Sequence, residues 1–542
     1  MIYGVVAVSL VVLSGWAGEI SLGQYAIVGA GGVIAGNLIT RSNLDLFVCL
    51  VAAAGAGALL AIAVGLPALR IRGLFLAVTT LALAVTVDAF FLNPTNFASI
   101  IPSTIDRPIL WKRFDLTNER TLYYLCLGIL IGTIVVVQGL RASRAGRVML
   151  ASRDNPRAAA AMAVPTTRIK VLSFVLSGAI AGMAGGLHAV ILQSIGYGTY
   201  QPSESLLVFS MVVIGGLGSV SGALVGVVAI ELAVHLFPQY QLLITGSGLL
   251  FVLLVLPGGL ATALLAVRDR LLGVVARRRG IDLTPAAAGA SGVDAAVEPV
   301  QISHVEGEDV LLRCTQVQVK YGALQVLFGA ELEVREGEVV ALLGTNGAGK
   351  STLLKGIAGT VSPSGGRIVF DGKDVTGATP QRKAADGLAM MPAKSVFPSL
   401  SVDENLRIAA WLVRGNADEA RRSLDEVHRL FPVLAQRGGQ SAGDLSGGEQ
   451  QMLSLGMALM TKPRMLLIDE LSLGLAPTIV GRLLGVVRQL AADGMTIVIV
   501  EQSVNVALEL AERAVFLEKG QVRFSGRTAE LLERPDVLRS VF

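Results

Sequence analysis

Charge is scarce in this chain. Asp, Glu, Lys and Arg make up 16% of its 542 residues, against about 25% in an ordinary soluble protein. The shortage is local, because the first 260 residues hold only 23 charged side chains and the remaining 282 hold 63. A lipid-compatible half therefore precedes a water-compatible one. With 53% hydrophobic residues, disorder and collagen are excluded. Cysteine is scarce too: Cys49, Cys126 and Cys314 are far apart, and two of them lie in apolar stretches. That pattern excludes a disulfide framework and a zinc site, and the four histidines lack metal-ligand spacing. The apolar start, Ile2 to Leu13, lacks a basic leader, and GEISLGQ after it is no A-x-A cleavage site, so the expectation is a retained membrane segment. The net charge of +4 does not point to nucleic acid, because the first 260 residues carry +5 and the rest sums to −1.

Five runs approach the roughly 20 apolar residues that a bilayer core demands: Leu46 to Leu69, Gly73 to Leu92, Leu122 to Leu140, Val171 to Leu192 and Leu242 to Leu256. The connection from Arg141 to Lys170 holds seven basic residues against Asp154 alone, which places it in the cytoplasm. Arg70 and Arg72 mark another inside turn, and the basic cluster Arg268 to Arg279 brings the last span out on the same side. Parity then demands an even number of crossings between Leu206 and Phe237, where VVIGGLGSVSGALVGVV reads as a break between two half-spans. GWAGEISLGQYAIVGAGG reads as a second interruption. Small residues packing helices closely explain both equally well. Asp88, His188 and Glu231 are ionisable groups inside apolar segments, with His235 at an edge.

The expected boundaries are 1–275 for an all-α polytopic membrane domain, 276–309 for an Ala-, Gly- and Pro-rich tether, and 310–542 for a water-compatible domain.

In the second half, the β-rich run EVVALL precedes Gly344-Thr345-Asn346-Gly347-Ala348-Gly349-Lys350-Ser351-Thr352 and then a helical pattern. This is a P-loop in its strand, loop, helix setting, so the expected fold class is an all-α polytopic membrane domain followed by an α/β P-loop nucleoside-triphosphatase domain, with 310–542 the ATP-binding domain. The glycines let backbone N–H groups approach ATP phosphates, Lys350 neutralises the terminal ones, and Ser351 ligates Mg2+. Farther on, the strand-like MLLI ends in Asp469 and Glu470, a metal-holding carboxylate followed by a candidate general base. Between them Leu445-Ser446-Gly447-Gly448-Glu449-Gln450 opens a helix expected from Glu449 to Met460.

That hexapeptide closely resembles the signature of ATP-binding cassette proteins. Residues Val310 to Phe542 resemble the smaller ATPase subunit of branched-chain amino acid importers through LLGTNGAGKSTLLKGIAG, FPSLSVDENL, LSGGEQQM, SLGLAP and TIVIVEQ. The first half resembles the partner permease through GEISLGQ, LPALRIRGLFLAVTTLAL and GGLGSVSGALVG. The resemblance implies that Tyr321 stacks on adenine and that Ser446, Gly447, Gly448 and Glu449 reach the γ-phosphate of ATP held by an opposing ATPase. It also implies that Gln502 takes the place of the switch histidine and that Asp154 to Val164 couples the ATPase to the permease.

The implied function is ATP-driven import of branched-chain or related small amino acids or amides across the cytoplasmic membrane, with the ATPase in the cytoplasm. The implied partners are a second permease, a second ATPase, an extracytoplasmic substrate-binding protein and membrane lipid. A heteromeric assembly is expected, with a homodimer as the alternative; nucleic acid is not expected. The permease family usually has one more span before GEISLGQ than this chain begins with. Four further departures from the pattern stand out. Pro392-Ala393-Lys394-Ser395 fills a loop that normally carries Gln or Glu, Leu471 replaces a proline, Gly456 sits where arginine is common, and LNPTNFASIIPSTID lacks a threonine-glycine-glycine pattern. Ala393, Leu471 and Gly456 leave open a nucleotide-binding regulatory half with little hydrolysis, the permease segment leaves the solute open, and an exporter is the third reading.

Overall fold

The computed structural model describes residues 1–278 and 309–528, apart from 43, 69–73, 98–99, 103, 111–113, 197, 257, 394, 414, 473, 502–509 and 512. The chain divides into two compact units, Met1–Met149 with Thr167–Gly292, and Leu150–Thr166 with Val293–Phe542.

Among its described residues the first unit has helices and one two-residue β-pairing as its regular structure. Among the described residues, three helices are long and apolar enough to cross a membrane, Leu46–Pro67, Glu119–Ala142 and Thr166–Leu192. Two other expected spans are shorter. One is a 13-residue helix, Leu74–Thr86, that widens into a π-helical turn, Val87–Phe91; the other is the 15-residue helix Gln241–Val255. The glycine-marked break is present, for Pro202–Gly215 and Val220–Leu236 meet at 119°. Close packing is present at the same place: a Cβ on Gly215 would lie 2.1 Å from the Gly222 carbonyl oxygen. At the N-terminal interruption, Ile2–Leu10 and the π-helical Val11–Trp16 stop before a new helix starts at Gln24 and runs to Ser42. Asp88 accepts the Gly198 N–H at 3.2 Å, a structural role, whereas Glu231 and His235 are exposed. A helix continues to Arg278, beyond the expected start of the tether at residue 276.

The second unit is built on a six-stranded sheet in the order Gln521–Arg527, Arg513–Glu518, Val339–Leu343, Thr496–Val500, Met465–Asp469 and Leu388–Met391. All neighbours are parallel except the first pair. The central strands are mostly apolar and buried along almost their whole length, as a sheet covered on both faces requires. A four-stranded antiparallel sheet, led by the hairpin Val310–Tyr321 and Leu324–Arg335, packs on it over one core that includes Leu312, Leu353 and Val498. In this architecture ligands bind outside the carboxyl ends of the parallel strands. There lie the residues after Leu343, after Ile468 and after Val500.

Candidate nucleotide site and its relatives

The strand Val339–Leu343 ends in a loop that only glycine-rich sequence permits. Gly344, Gly347 and Gly349 have φ of 145°, 83° and 105°, a region that costs a side chain strain. A Cβ on Gly344 would fall 2.1 Å from the Leu517 carbonyl oxygen, so the neighbouring strand also forbids one. Asn346 and Gly347 face solvent, and Ala348 is buried. Gly349 caps the helix Lys350–Ile357, whose first turn carries Ser351 and Thr352.

Lys350 folds back over the loop and donates to the carbonyls of Gly344 at 2.6 Å and Thr345 at 3.0 Å. Burial holds its ammonium below the ordinary lysine range, against the pull of the Glu470 and Asp469 carboxylates. Ser351 Oγ donates to Asp469 Oδ1 at 2.8 Å. Burial raises the Asp469 carboxyl, and that hydrogen bond opposes the rise.

Glu470 stands next in line with φ of 60°, an uncommon conformation for a residue with a side chain. Its N–H donates to the Val500 carbonyl at 3.0 Å, and its own carbonyl accepts from Gln451 Nε2 at 3.1 Å. Gln451 belongs to the signature helix, which runs Gly447–Leu459, two residues earlier at its start than the sequence pattern suggested. Ser446 caps it and Glu449 reaches back in a reciprocal capping box. Arg437 pairs with Glu449 at 3.3 Å. Ser446 and Gly447 are exposed.

Tyr321 is 43% exposed at the end of its strand, where Gly322 at φ of 63° turns the chain. Gln502 lies outside the described residues, as does Lys394.

Glu501 is a residue that sequence reasoning missed. It is 2% exposed, and its carboxylate accepts the N–H of Leu471 at 2.9 Å, the N–H of Ser472 at 3.1 Å and the Ser472 hydroxyl at 2.7 Å. The parallel pairing of Val500 with Asp469 brings it there. This gives the Leu471 departure a physical reason: a proline at 471 has no N–H to donate. Gly456 has one as well, since a Cβ there would come within 2.8 Å of Val427 Cγ1, leaving no room for arginine.

Residues Leu150–Thr166 fold with this unit. The short helix Pro156–Ala161 packs against Pro380–Ala385 and against the strand Leu388–Met391. Asp154 Oδ2 accepts the Ser399 N–H at 2.9 Å and also the Ser399 hydroxyl. Gln381 Nε2 donates to the Val164 carbonyl at 3.2 Å.

A phosphate-binding loop facing a strand-end Asp-Glu pair, with a capped signature helix and a polytopic helical half, defines an ATP-binding cassette ATPase fused to a membrane permease. Comparison with known proteins agrees. Residues 1–257 match the model of the branched-chain amino acid transport system permease component, and residues 327–472 match that of the ABC transporter ATPase. The high-affinity branched-chain amino acid transport ATP-binding protein of Pseudomonas aeruginosa is 41% identical over 228 residues, which are 42% of this chain and 97% of that protein. The probable branched-chain amino acid transport ATP-binding protein of Archaeoglobus fulgidus is 36% identical over 225 residues, 41% of this chain and 94% of that one. A solved nucleotide-free ATP-binding cassette from an ABC transporter is 26% identical, covers 43% of this chain and 99% of its own length, and has a TM-score of 0.40. The chain belongs to the branched-chain amino acid transport family of ABC transporters, with permease and ATPase in one polypeptide. It is a membrane protein that binds ATP and couples its hydrolysis to transport.

Proposed function

We propose that this chain imports branched-chain or related small amino acids across the cytoplasmic membrane, as the fused half of a larger transporter whose ATPase unit lies in the cytoplasm. The observation that carries the reading is the seating of Leu150–Thr166 on the ATPase through Asp154, Ser399, Gln381 and Val164. A permease loop held by the cassette is what coupling of hydrolysis to transport requires. The names of the relatives supply the solute class.

In this reading Lys350 exchanges its two carbonyl acceptors for the β- and γ-phosphates, and the phosphate charge offsets what burial costs the ammonium. Backbone N–H groups of the loop and of the helix start at Lys350 would face the same phosphates, and Tyr321 would stack on the adenine. The Ser351 hydroxyl and Asp469 carboxylate, 2.8 Å apart, are adjacent hard oxygen donors of the kind Mg2+ takes, so these two would hold it. When bound, the ion neutralises charge that develops on the phosphate oxygens. Glu470 orients the attacking water and accepts its proton, from a backbone position fixed by Val500 and Gln451. Exposed Ser446 and Gly447 would contact the ATP of a second cassette. Gln502 would hydrogen-bond the γ-phosphate.

Import needs a second permease, a second ATPase and an extracytoplasmic binding protein. The test is ATP turnover by the reconstituted assembly with and without leucine-loaded binding protein, wild type against Glu470→Gln. Leucine-stimulated turnover that the substitution abolishes supports the reading. Equal turnover in both assigns catalysis to the partner's site and makes this cassette the regulatory half.

A further inference from the structure

Lys383 is a buried cation at a point where an apolar side chain would pack at less cost. It is 1% exposed, and its ammonium donates to the carbonyls of Gly356 at 3.1 Å and Ile357 at 2.9 Å. Taking an ammonium out of water is expensive unless other partners replace the water. Among the described residues those partners are carbonyl oxygens, and no carboxylate forms an ion pair with it. The two carbonyls end the helix Lys350–Ile357, where the last C=O groups lack partners within the helix and carry the negative end of its dipole. The stem of Lys383 is held as closely as its head. Gly359 follows that helix with φ of 76°, and a Cβ there would lie 3.2 Å from both Cδ and Cε of Lys383.

Two helices therefore meet at one ammonium. The first has the phosphate-binding loop at its other end, where Gly349 caps it and Lys350 opens it. It is eight residues long, a rod of about 12 Å. The second, Pro380–Ala385, carries both Lys383 and Gln381, and Gln381 Nε2 donates to the Val164 carbonyl at 3.2 Å. Val164 is fully buried near the end of the segment Leu150–Thr166, just before the membrane helix Thr166–Leu192 starts. Pro156–Ala161 of the same segment packs on Pro380–Ala385. A continuous run of bonded groups thus leads from the phosphate end of one helix to the coupling segment.

We infer that Lys383 is a positioning residue for transport, which ties the far end of the P-loop helix to the helix that holds the coupling segment, so that nucleotide binding at Lys350 is felt at Val164. This rests on the coupling reading above. A shift of the P-loop helix when phosphates bind at its start displaces the Gly356 and Ile357 carbonyls with it, because a helix moves as one body. The ammonium bonded to both follows them, and it carries Gln381 and the Val164 carbonyl along. A neutral side chain of similar length fills the same space without following the carbonyls, which is why packing alone does not require lysine here.

The experiment uses the full chain in its assembled transporter. Hydrogen exchange of the amides in 156–166 is read with and without a non-hydrolysable ATP analogue, and ATP turnover is read with and without leucine-loaded binding protein. The variants are Lys383→Met, Lys383→Gln, Gln381→Ala and the double variant Lys383→Met with Gln381→Ala. In wild type the analogue is expected to change exchange in 156–166. In Lys383→Met that change is lost and stimulation by the binding protein falls about fivefold or more, while affinity for the analogue and unstimulated turnover stay near wild type. Lys383→Gln, which keeps an N–H donor, recovers part of both and carries the test if Lys383→Met fails to fold. Links in series are not additive, so the double variant falls no further than the worse single one. Nucleotide-dependent exchange that survives in Lys383→Met overturns the inference, as does a wild type whose exchange ignores nucleotide. Losses that multiply in the double variant, or turnover lost equally with and without binding protein, also overturn it, because Lys383 is then a packing residue. A wild type whose exchange responds to nucleotide but whose turnover ignores leucine-loaded binding protein overturns the importer reading instead, and the link then stands or falls on exchange in Lys383→Met.

Discussion

Glu501 gives the sharpest test of how the hydrolysis site is held. In Glu501→Ala the N–H groups of Leu471 and Ser472 lose their acceptor, and Leu471 is fully buried. Each orphaned buried donor costs about 1–3 kcal/mol, so the pair costs about 2–6 kcal/mol. The loop that follows Glu470 can escape this only by leaving its place. At about 3 kcal/mol the anchored arrangement loses roughly a hundredfold in population, and single-turnover ATP hydrolysis by the assembled transporter should fall by a similar factor. Glu501→Gln keeps a carbonyl oxygen for the two N–H groups but loses charge assistance and turns the acceptor of the Ser472 hydroxyl into an NH2 group, to which that hydroxyl can re-orient as acceptor, about 1 kcal/mol or roughly fivefold in all. Leu471→Pro deletes one donor to the carboxylate and should fall between the two. Affinity for a fluorescent ATP analogue should stay near wild type in all three, because Lys350 and the P-loop do not touch this anchor. Turnover of Glu501→Ala within threefold of wild type would refute the reasoning. So would an affinity loss that matches the turnover loss, which would mark a general collapse of the fold.

Glu470→Gln should lower ATP turnover by about 10²-fold or more while nucleotide still binds, read by comparing steady-state hydrolysis with equilibrium binding. Lys383 is 1% exposed and donates to the carbonyls of Gly356 and Ile357 at 3.1 and 2.9 Å, with burial pushing its ammonium down to about 8. The unfolded chain keeps that proton up to the ordinary 10.5, so between about 8 and 10.5 the unfolded state binds more protons and stability rises with pH, by on the order of 3 kcal/mol. Thermal unfolding should show the rise in wild type and not in Lys383→Met. Asp154→Ala removes the acceptor for Ser399; it should cost about 1 kcal/mol and cut leucine stimulation of ATP turnover roughly fivefold without lowering unstimulated turnover. Gly456→Arg should destabilise by about 1–3 kcal/mol through overpacking against Val427, measured as a lowered Tm.

The parts of the site that were legible in the sequence are contiguous in the chain. The glycines of the P-loop announce a backbone shape over a few residues, and Ser446 with Glu449 announces a helix start in the same local way. Glu501 could not be read so, because its partners are 29 and 30 residues away and meet it only once two parallel strands lie in register. The same limit hid Gln451, whose contact with Glu470 spans 19 residues. Leu471 and Gly456 looked like defects against a family pattern, and only their neighbours reveal the N–H that is used and the space that is filled. In the membrane half, composition located the apolar runs but not their helical lengths, since a π-helical turn at Val87–Phe91 changes the winding without changing the hydropathy.

The inclusion of Leu150–Thr166 in the ATPase unit, while the chain on either side of it belongs to the membrane unit, has a bearing on assembly. In a transporter made of separate subunits, the cassette must find its permease by diffusion, and the contact must be tight enough to survive dilution. Here both surfaces belong to one polypeptide, so they meet at an effective concentration on the order of millimolar, set by the connection rather than by expression level. At that concentration even a contact resting on a few hydrogen bonds is occupied most of the time. Fusion also ties one cassette to this permease half in every copy of the chain.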